Sequence, residues 1–394
     1  MDDPWLTAYA TDFLTRAKEV GYKVPQNAMQ QALSSVKNRL TYQSDLEKDS
    51  ETVAYALYVL ARNRMASAGD LRYYVETKLD AFRSPLSRAQ LGAALALYGD
   101  RVRAERAFNS ALGLAHDIAN RNVMPEERTY SFSSIRRDVA GMLALAHEIS
   151  PNLDSLSDIK DLARSLYDPE RRLSTQEQAW MVLAARAQLA NTQDLGIMLN
   201  GQASDGPVST SVSGEGLDAT PLTVINGGEK QLEATVTTLA TPIEPLPAGG
   251  DGFTISRSYH RLDGSVVNMS EIKQNERFVV VVSASQLEDV PARLIISDLL
   301  PAGLEVENPH LISNSEMDSF SWLQKTNVTH VEFRSDRVLA AFDRQRGEQK
   351  DFTIAYTVRA VSPGTFTHPA AVIEDMYRPD KSARTASGWM TVSQ

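Results

Sequence analysis

The chain has 394 residues, of which 42% are hydrophobic and 23% are charged, and its formal net charge at pH 7 is -10. This composition is typical of a globular protein with two or three cores, and the acidic balance argues against binding to the phosphate backbone of nucleic acid. Cysteine is absent, so the chain can form no disulfide, thiolate nucleophile or thiolate metal site.

The apolar runs are short and the N-terminus is acidic. The longest runs, such as Phe278 to Val282, fall far short of the roughly 20 residues that a membrane-spanning helix needs. The start Met1-Asp2-Asp3-Pro4 has neither the basic segment nor the apolar core of a secretory signal peptide. We therefore expect no membrane segment and no signal in this chain.

The first half of the chain predicts helices. Apolar residues recur at helical spacing in nine segments, which are Trp5–Leu14, Pro25–Leu40, Glu51–Leu60, Leu71–Phe82, Ser87–Tyr98, Val102–Asn120, Ser134–Glu148, Leu156–Tyr167 and Ser174–Leu189. Alternate members recur about every 40 residues, which indicates stacked helical hairpins. These members share small residues and predict the inner ring of an α/α toroid whose first helices are missing, with an apolar open end near Trp5 and Phe13. An open array of tetratricopeptide type is the alternative.

The last predicted helix has the clearest start. Ser174 and Glu177 form a capping box, in which the hydroxyl accepts from a free backbone amide and the carboxylate reaches back. Apolar residues such as Trp180 and Ala184 continue the helical pattern on two faces. We therefore expect a buried helix at the border between the helical and the strand-rich parts.

After Asn200 the apolar residues change to a period of 2, which indicates strands. Leu222–Ile225 and Leu232–Leu239 flank the turn Asn226-Gly227-Gly228 and predict a hairpin, and the prolines and glycines up to Gly250 predict a linker. Eight strand candidates follow, which are Phe253–His260, Phe278–Ser285, Arg293–Asp298, His330–Arg334, Arg337–Phe342, Lys350–Ala360, Gly364–Thr367 and Gly388–Val392. Short strands at this spacing predict an antiparallel β-sandwich.

Side chains that could carry chemistry are few. The six histidines form no metal-binding motif, and no nucleotide-binding or nucleophile-elbow motif is present, so we expect no cofactor and no metal. We interpret His147-Glu148 as an exposed pair at a helix end, and Arg136-Arg137-Asp138 and Pro169–Arg172 as solvated charge runs. The acidic residues from Asp45 to Glu51 are interpreted as the first turn of a helix.

Four short motifs together resemble one family. Asp3–Tyr9 (DPWLTAY) looks like a helix of the thioester domain in the alpha-2-macroglobulin and complement family, and Ser174–Trp180 (STQEQAW) resembles the helix that closes that domain. Asp298–Gly303 (DLLPAG) and Glu374–Tyr377 (EDMY) are similar to the terminal macroglobulin domain of the bacterial members. The resemblance covers nearly the whole chain and identifies it as the C-terminal portion of a bacterial alpha-2-macroglobulin.

The resemblance implies a multidomain α and β fold. Residues 1–199 are expected to form the C-terminal part of the α/α toroid of a thioester domain. Residues 200–249 are expected to form the second half of a CUB-like β-domain, and residues 250–394 a terminal macroglobulin-like β-sandwich. The segments missing from the toroid would precede this chain in its parent protein.

The resemblance also implies a function, which is broad-spectrum inhibition of endopeptidases rather than catalysis. Members of the family trap a protease after it cleaves a bait region. This chain lacks the thioester motif, since it has no cysteine, and it lacks the bait region, so we expect it to be inactive alone. Residues Leu40 to Glu51 contain no histidine, so the histidine that speeds acyl transfer in complement-type members is not carried over.

The partners and the location follow from the same resemblance. Proteases are the expected partners of the full-length parent, and nucleic acid is not expected. The parent is expected in the periplasm, with a lipid anchor in the inner membrane. Two other functional classes stay open, a helical-repeat and β-sandwich scaffold that binds a partner protein in an aromatic groove, and a glycan-cleaving toroid with paired carboxylates.

Met376 and Tyr377 are the candidate site residues. They form an apolar pair between charged residues in a predicted loop, Glu374–Asp380, that contains a proline. In bacterial members the terminal domain leans on the thioester domain and a methionine keeps water from the thioester. The resemblance therefore implies that Met376 and Tyr377 contact the helical domain and shield the reactive bond. From the residues alone, the alternative is that both side chains pack into the core of their own sandwich.

Overall fold

The computed structural model describes residues 3–42, 46–121, 133–149, 152–168, 171–189 and 195–204, shorter stretches between 208 and 238, and residues 240–307, 326 and 328–394. None of the helices in these parts of the chain combines the length and the apolarity that crossing a bilayer requires. The chain separates into two compact units, Met1–Pro169 with Thr175–Thr237, and Glu170–Ser174 with Thr238–Gln394. The predicted division into three domains at residues 199 and 249 stays a prediction.

The described part of the first unit contains the helices that the sequence predicts. They are α1 (Pro4–Glu19), α2 (Gln26–Tyr42), α3 (Leu46–Arg62), α4 (Ala68–Thr77), α5 (Pro85–Leu97), α6 (Arg101–Arg121), α7 (Ile135–Ile149), α8 (Leu156–Ser165) and α9 (Thr175–Leu189), with a short 3-10 helix at Leu79–Ala81. Helix α3 begins at Leu46, so that Glu47, Asp49 and Glu51 lie in its first two turns, and it starts earlier than the predicted segment Glu51–Leu60. Residues 43–45, which include Asp45, lie outside the described residues.

Local sequence signals fix several helix starts. Asp3 precedes α1, and its Oδ1 accepts hydrogen bonds from the backbone amides of Trp5 at 2.8 Å and Leu6 at 3.1 Å. Pro4 occupies the first turn, where a missing N–H costs nothing. Ser84 caps α5 in the same way by accepting from the amide of Ser87.

The odd-numbered helices form one layer, in which each packs on the next, and the even-numbered helices pack against this layer. Small residues set the spacing. A side chain added at Gly92 in α5 would come within 2.9 Å of Phe108 in α6, and one at Gly141 in α7 would come within 2.5 Å of Leu86. Close approach therefore requires glycine at both positions, as the small-residue pattern predicted.

An apolar surface was predicted at the α1 end of the layer, near Trp5 and Phe13. Phe13 is 69% exposed and Leu6, the neighbour of Trp5, is 47% exposed, so an apolar surface is present there. Trp5 itself is only 8% exposed and lies beneath this surface. Its ring stacks on Tyr9 and meets Tyr55, which covers it.

A small sheet follows the helices. Strand β1 (Ile197–Leu199) pairs antiparallel with β2 (Gln202–Ser204) on one side and with β3 (Val224–Asn226) on the other. The predicted hairpin between Leu222–Ile225 and Leu232–Leu239 is wrong, because β3 pairs with β1 and the described residues of 232–239 form no strand. The alternating pattern correctly indicated an extended segment but could not identify its partner.

The second unit contains thirteen strands in its described residues. They are β4 (Gly249–Asp251), β5 (Phe253–His260), β6 (Ile272–Lys273), β7 (Arg277–Gln286), β8 (Ala292–Leu299), β9 (Leu304–Val306), β10 (His330–Phe333), β11 (Arg337–Arg344), β12 (Asp351–Ala360), β13 (Gly364–His368), β14 (Ala371–Asp375), β15 (Arg378–Arg384) and β16 (Gly388–Ser393). All eight strand candidates of this region are confirmed, and β14 and β15 are the main additions.

These strands form three sheets around one core. The largest has the order β10-β11-β8-β14-β15-β4, the second has the order β5-β7-β12-β9, and the third has the order β13-β16-β6. All pairs are antiparallel except β16 with β6. Inward-facing residues alternate along the strands, so that residues such as Phe278, Val282, Leu294, Ile296 and Val358 are buried together.

Candidate functional site

The hairpin formed by β14 and β15 carries the candidate site residues at its tip. Strand β14 ends at Asp375 and β15 begins at Arg378, so Met376 and Tyr377 are the two residues of the connecting turn. Asp375 lies opposite Arg378 in the ladder, which is the geometry of a two-residue hairpin. The prediction of a loop over Glu374–Asp380 is therefore wrong, since these residues form a tight turn and two strand ends.

Three polar contacts hold the turn in one conformation. Asp375 is only 2% exposed. Its Oδ1 accepts from the backbone amide of Tyr377 at 3.0 Å, and its Oδ2 accepts from Nε of Arg378 at 2.7 Å. The amide of Met376 donates to the carbonyl of Arg293 on the neighbouring strand β8 at 2.8 Å. Because the backbone is bound on both sides, the directions of the two tip side chains are set by the fold.

The two tip side chains differ in exposure. Met376 is 46% exposed, so it does not pack into the core of its own sandwich. Tyr377 is half-buried, and this burial raises the pKa of its phenol, an effect that Arg293 opposes. The phenol is therefore neutral at pH 7. The hairpin tip therefore presents the flexible apolar side chain of Met376 beside the neutral phenol of Tyr377.

Two arginines from the segment before α9 bind the sides of this hairpin within the second unit. Nη2 of Arg171 lies 3.4 Å from Oδ1 of Asp380, and Nη2 of Arg172 lies 3.5 Å from Oε2 of Glu374. Arg172 also donates from Nη1 to the carbonyl of Pro379 at 3.2 Å. Arg172 is largely exposed, as the interpretation of a solvated charge run predicts, whereas Arg171 is half-buried, and both also form ion pairs with the hairpin.

Aromatic rings from three helices form one cluster in the first unit. Trp5 and Tyr9 of α1 stack with centroids 5.4 Å apart, and Tyr55 of α3 lies 5.9 Å from Trp5 and 6.5 Å from Trp180 of α9. The hydroxyl of Tyr55 donates to Oδ2 of Asp12 at 3.0 Å. Burial and this carboxylate both raise the pKa of Tyr55. Because Trp5, Tyr55 and Trp180 are all buried, the cluster is part of the core and not an open binding groove.

An ionic network connects α1, α3 and α7 beside this cluster. Glu148 accepts from Nη1 of Arg16 at 2.7 Å and from Nη1 of Arg62 at 3.0 Å. Arg62 also binds Glu19, with 2.5 Å between Nη2 and Oε2. Both arginines donate to the hydroxyl of the buried Tyr58. Burial raises the pKa of Tyr58, so its phenol stays neutral and acts as an acceptor. The network joins three helices that are distant in sequence.

Two interpretations of charged residues in α7 are wrong. His147 is buried, and this burial lowers its pKa, with Lys160 acting in the same direction. Arg137 is 1% exposed and Asp138 is fully buried, whereas both were expected to be solvated. Nη2 of Arg137 lies 2.7 Å from Oδ1 of Asp138 and 3.3 Å from Oε2 of Glu51. Burial alone would lower the pKa of Arg137, but the two carboxylates raise it above its ordinary value.

Helical spacing could have identified this buried arginine. Arg137, Gly141 and Ala144 fall at positions i, i+4 and i+7 of α7, which is one face of a helix. Two small buried residues on that face indicate a core position for the third. A run of three adjacent charges concealed this pattern, because adjacent residues of a helix point in different directions.

The sandwich also contains a buried polar cluster. Nη1 of Arg257 lies 2.5 Å from Oδ1 of Asp298, and the hydroxyl of Tyr356 donates to Oδ2 of Asp298 at 2.7 Å. Nη2 of Arg257 donates to the carbonyl of Pro369 at 2.6 Å. These contacts connect β5, β8 and β12 with the start of β14, and each charge has a partner, as burial requires.

Tyr259 and His368 form the edge of the same cluster. The hydroxyl of Tyr259 is hydrogen-bonded to Nε2 of His368. Burial, with the nearby cation of Arg257, lowers the pKa of His368 to about 4. The ring is therefore neutral at pH 7 and can accept from the phenol. In the described parts of the chain, no group of three or more His, Cys, Asp or Glu side chains is arranged to hold a metal ion.

Comparisons with known proteins cover the whole chain. Residues 252–380 match the family described as Bacterial Alpha-2-macroglobulin MG10 domain. An alpha-2-macroglobulin of Escherichia coli is 31% identical, and the match covers 98% of this chain and 24% of that protein. The chain thus spans about a quarter of the length of the curated relatives that it matches.

Solved structures give the same result. Native Escherichia coli alpha-2-macroglobulin from domain MG7 to the C-terminus matches with a TM-score of 0.80 and 28% identity, covering 100% of this chain and 64% of that chain. A Salmonella alpha-2-macroglobulin reacted with methylamine matches with a TM-score of 0.79 and 29% identity, covering 100% of this chain and 26% of that chain. From the MG10 match and these full-length similarities, we conclude that the chain belongs to the bacterial alpha-2-macroglobulin family.

Proposed function

We propose that this chain works as the C-terminal portion of a longer endopeptidase inhibitor of alpha-2-macroglobulin type, and that it is not an enzyme. The observation that carries the proposal is the similarity over the whole chain to native Escherichia coli alpha-2-macroglobulin. Trapping needs a bait region and a reactive bond that the parent would supply, because a chain without cysteine cannot form a thioester. The parent would meet its proteases in the periplasm, where a lipid anchor would hold it at the inner membrane.

The exposed face of α1 supports an incomplete α/α toroid. Leu6, Ala10 and Phe13 are exposed and fall at positions i, i+4 and i+7, so α1 has an apolar stripe on the side that the other described helices leave open. Tyr55 of α3 approaches Trp180 of α9 within 6.5 Å, which requires the layer of odd-numbered helices to curve. In the parent, preceding helices would cover the stripe and close the ring.

The three-stranded sheet supports a partial β-domain of CUB type. Strands β2 and β3 are the edges of this sheet. On β3, Val224 is 51% exposed and Ile225, which points to the opposite face, is 46% exposed. A sheet that exposes branched apolar side chains on both faces lacks a core of its own. Further strands and a second layer from the parent would complete it.

Met376 and Tyr377 would act as the cover of the thioester in the parent. The support is that the hairpin tip is held by Asp375 and Arg293 while Met376 stays exposed. An apolar cover slows hydrolysis of an acyl bond because it keeps the attacking water away. A held turn suits this role, since a mobile tip would open the bond to solvent more often.

The cover can be tested with methylamine, which cleaves a thioester and releases a free thiol. In the full-length parent, Met376→Ala should speed thiol release several-fold at unchanged thermal stability, and Tyr377→Ala should also speed thiol release. Met65→Ala is the matched control, because Met65 is 39% exposed and lies in the helical unit. Equal rates for the wild type and both tip variants would contradict the shielding role.

The requirement for the parent can be tested with a protease. Incubation of the present chain with trypsin should leave cleavage of casein unchanged, because trapping protects only large substrates and needs the missing segments. The parent should slow casein cleavage while a small peptide substrate is still hydrolysed. Stoichiometric protection of casein by the present chain alone would overturn the proposed division of function, and a parent that protects no large substrate would overturn the inhibitor function itself.

A further inference from the structure

A cleft on the even-numbered helices of the first unit lies apart from every cluster described above. It has a volume of about 300 Å³ and is lined by residues 76–81 on one side and by Arg106 and Ser110 of α6 on the other. Residues 76–81 include the end of α4 and the short 3-10 helix. The lining is more polar than apolar, so a polar ligand suits it better than an apolar one.

The cations around this cleft outnumber the carboxylates. Two carboxylates line the cleft. Nε of Arg103 donates to Oε1 of Glu76 at 2.7 Å, and Nη2 of Arg88 lies 3.7 Å from Oδ1 of Asp80. Lys78 and Arg106 also line the cleft, and neither forms an ion pair within the described residues. Both lining carboxylates thus have an arginine within 4 Å, whereas the lining cations Lys78 and Arg106 have no carboxylate partner among the described residues, in a chain whose net charge is -10.

A third cation lies behind the wall of the cleft. Nη1 of Arg88 donates to Oγ of Ser110 at 2.7 Å, and Nε donates to the carbonyl of Phe82 at 2.8 Å. Its nearest carboxylate is Asp80, at 3.7 Å from Nη2, and the side chain of Asp80 is fully exposed. Burial lowers the pKa of Arg88 more than Asp80 raises it. The guanidinium is thus short of negative charge, which an anion in the cleft would supply.

The dipole of α4 partly counteracts the attraction of an anion to these cations. The C-terminal end of α4 lies at the cleft, and the negative end of its dipole disfavours an anion. Three cations in contact with, or directly behind, the lining act at shorter range than this dipole. Binding should therefore be specific for negative charge and strongly weakened by salt.

We propose that this cleft is a binding site for a single oxyanion, a phosphate or carboxylate group, held by Arg106 and Lys78 with Ser110 as a hydroxyl partner. The planar guanidinium of Arg106 can donate two parallel hydrogen bonds to either group, and Lys78 adds a point charge. The ligand is either a free phosphate or a small molecule that carries a carboxylate group. Both sources present the same chemistry to the cleft.

The test is isothermal titration calorimetry of the intact chain with inorganic phosphate and, separately, with succinate, in a buffer of low ionic strength. Saturable binding with one site per chain is expected for at least one of the two anions. Tighter binding of phosphate would indicate a free phosphate ligand, and tighter binding of succinate would indicate a carboxylate ligand. The absence of saturable binding for both anions would overturn the proposal.

Three variants separate a built site from general electrostatic attraction. Arg106→Gln should weaken binding about tenfold, since a charge-assisted pair contributes on the order of tenfold in affinity, and Lys78→Gln should weaken it several-fold. Arg101→Gln is the matched control, because Arg101 is an exposed arginine on the same helix that does not line the cleft. Equal weakening by Arg106→Gln and Arg101→Gln would overturn the proposal, because only the net charge would then matter. Far-UV circular dichroism checks that each variant is folded.

Discussion

Protonation of His368 should destabilise the β-sandwich in mild acid. The pKa of His368 is lowered to about 4 in the folded chain, whereas an unfolded histidine titrates near 6.5. The unfolded chain therefore takes up the proton first as the pH falls. Stability is unaffected above pH 6.5, decreases as the pH falls from there, and the loss is complete below about pH 4.

The magnitude follows from the two pKa values. Their difference corresponds to at most about 3.4 kcal/mol, and because the ring is partly exposed, solvent reduces this to about 1–2 kcal/mol. The structural reason is local. A protonated ring can no longer accept from the hydroxyl of Tyr259, and it brings a second cation towards Arg257.

The measurement compares the wild type with His368→Gln, which keeps an acceptor oxygen but cannot take up a proton near neutral pH. Hydrogen exchange of peptides from β12 gives the stability of the sandwich in urea at pH 7.5 and pH 4.5. Peptides from α5 in the same chain serve as the internal control for the helical unit. The wild type should lose about 1–2 kcal/mol more than the variant between the two values. An equal loss in both proteins would refute the assignment of the effect to His368.

Three substitutions test other parts of the fold. Arg137→Met removes the cation that pairs with the buried carboxylate of Asp138 and should lower the free energy of unfolding by about 3–5 kcal/mol, measured by urea unfolding at 222 nm. A loss below about 1 kcal/mol would contradict the buried ion pair. Gly303→Ala places a Cβ 2.4 Å from the ring of Phe366 and should lower the stability of the sandwich by about 1–3 kcal/mol, whereas an unchanged β12 exchange rate would show that the ring can move aside. Ser134→Ala removes the cap of α7 and should cost about 0.5–2 kcal/mol, with Ser34→Ala, at an exposed serine within α2, as the control that should change stability less.

The element types could be predicted from the sequence because they depend on local patterns. The small residues shared by alternate helices indicated close helix packing, and in the structure a side chain added at Gly92 or Gly141 would come too close to its neighbour. The pairing of β3 could not be predicted, since an alternating pattern identifies an extended segment but not the strand beside it. Register and partner depend on contacts between residues that are distant in sequence.

The candidate site was only partly predictable. Resemblance indicated Met376 and Tyr377, but the prediction of a loop missed the two strands that meet there. Tight turns are usually recognised in a sequence by glycine or asparagine. Here the turn is stabilised instead by hydrogen bonds that the carboxylate of Asp375 accepts from Tyr377 and Arg378. The buried ion pair of Arg137 was also missed. A charged residue is usually expected to be exposed to solvent, and only the helical spacing of its neighbours indicates that Arg137 is buried.

A hydrogen bond between side chains that are distant in sequence links the starts of α7 and α9. The hydroxyl of Ser134 accepts from the amide of Arg137 at 3.0 Å and donates to Oε1 of Glu177 at 2.7 Å. Glu177 lies in the first turn of α9 and is 2% exposed. The first turn of one helix therefore depends on the presence of the other.

The hairpin tip separates the residues that build a turn from those that a partner would contact. The turn is fixed by the side chain of Asp375, the guanidinium of Arg378 and a carbonyl of β8, whereas the side chain of Met376 is 46% exposed. The residue at position 376 can therefore be exchanged at little cost to folding. Such a tip can be adapted to a new surface by single substitutions, which makes the hairpin a suitable position for engineering how fast a covered bond reacts.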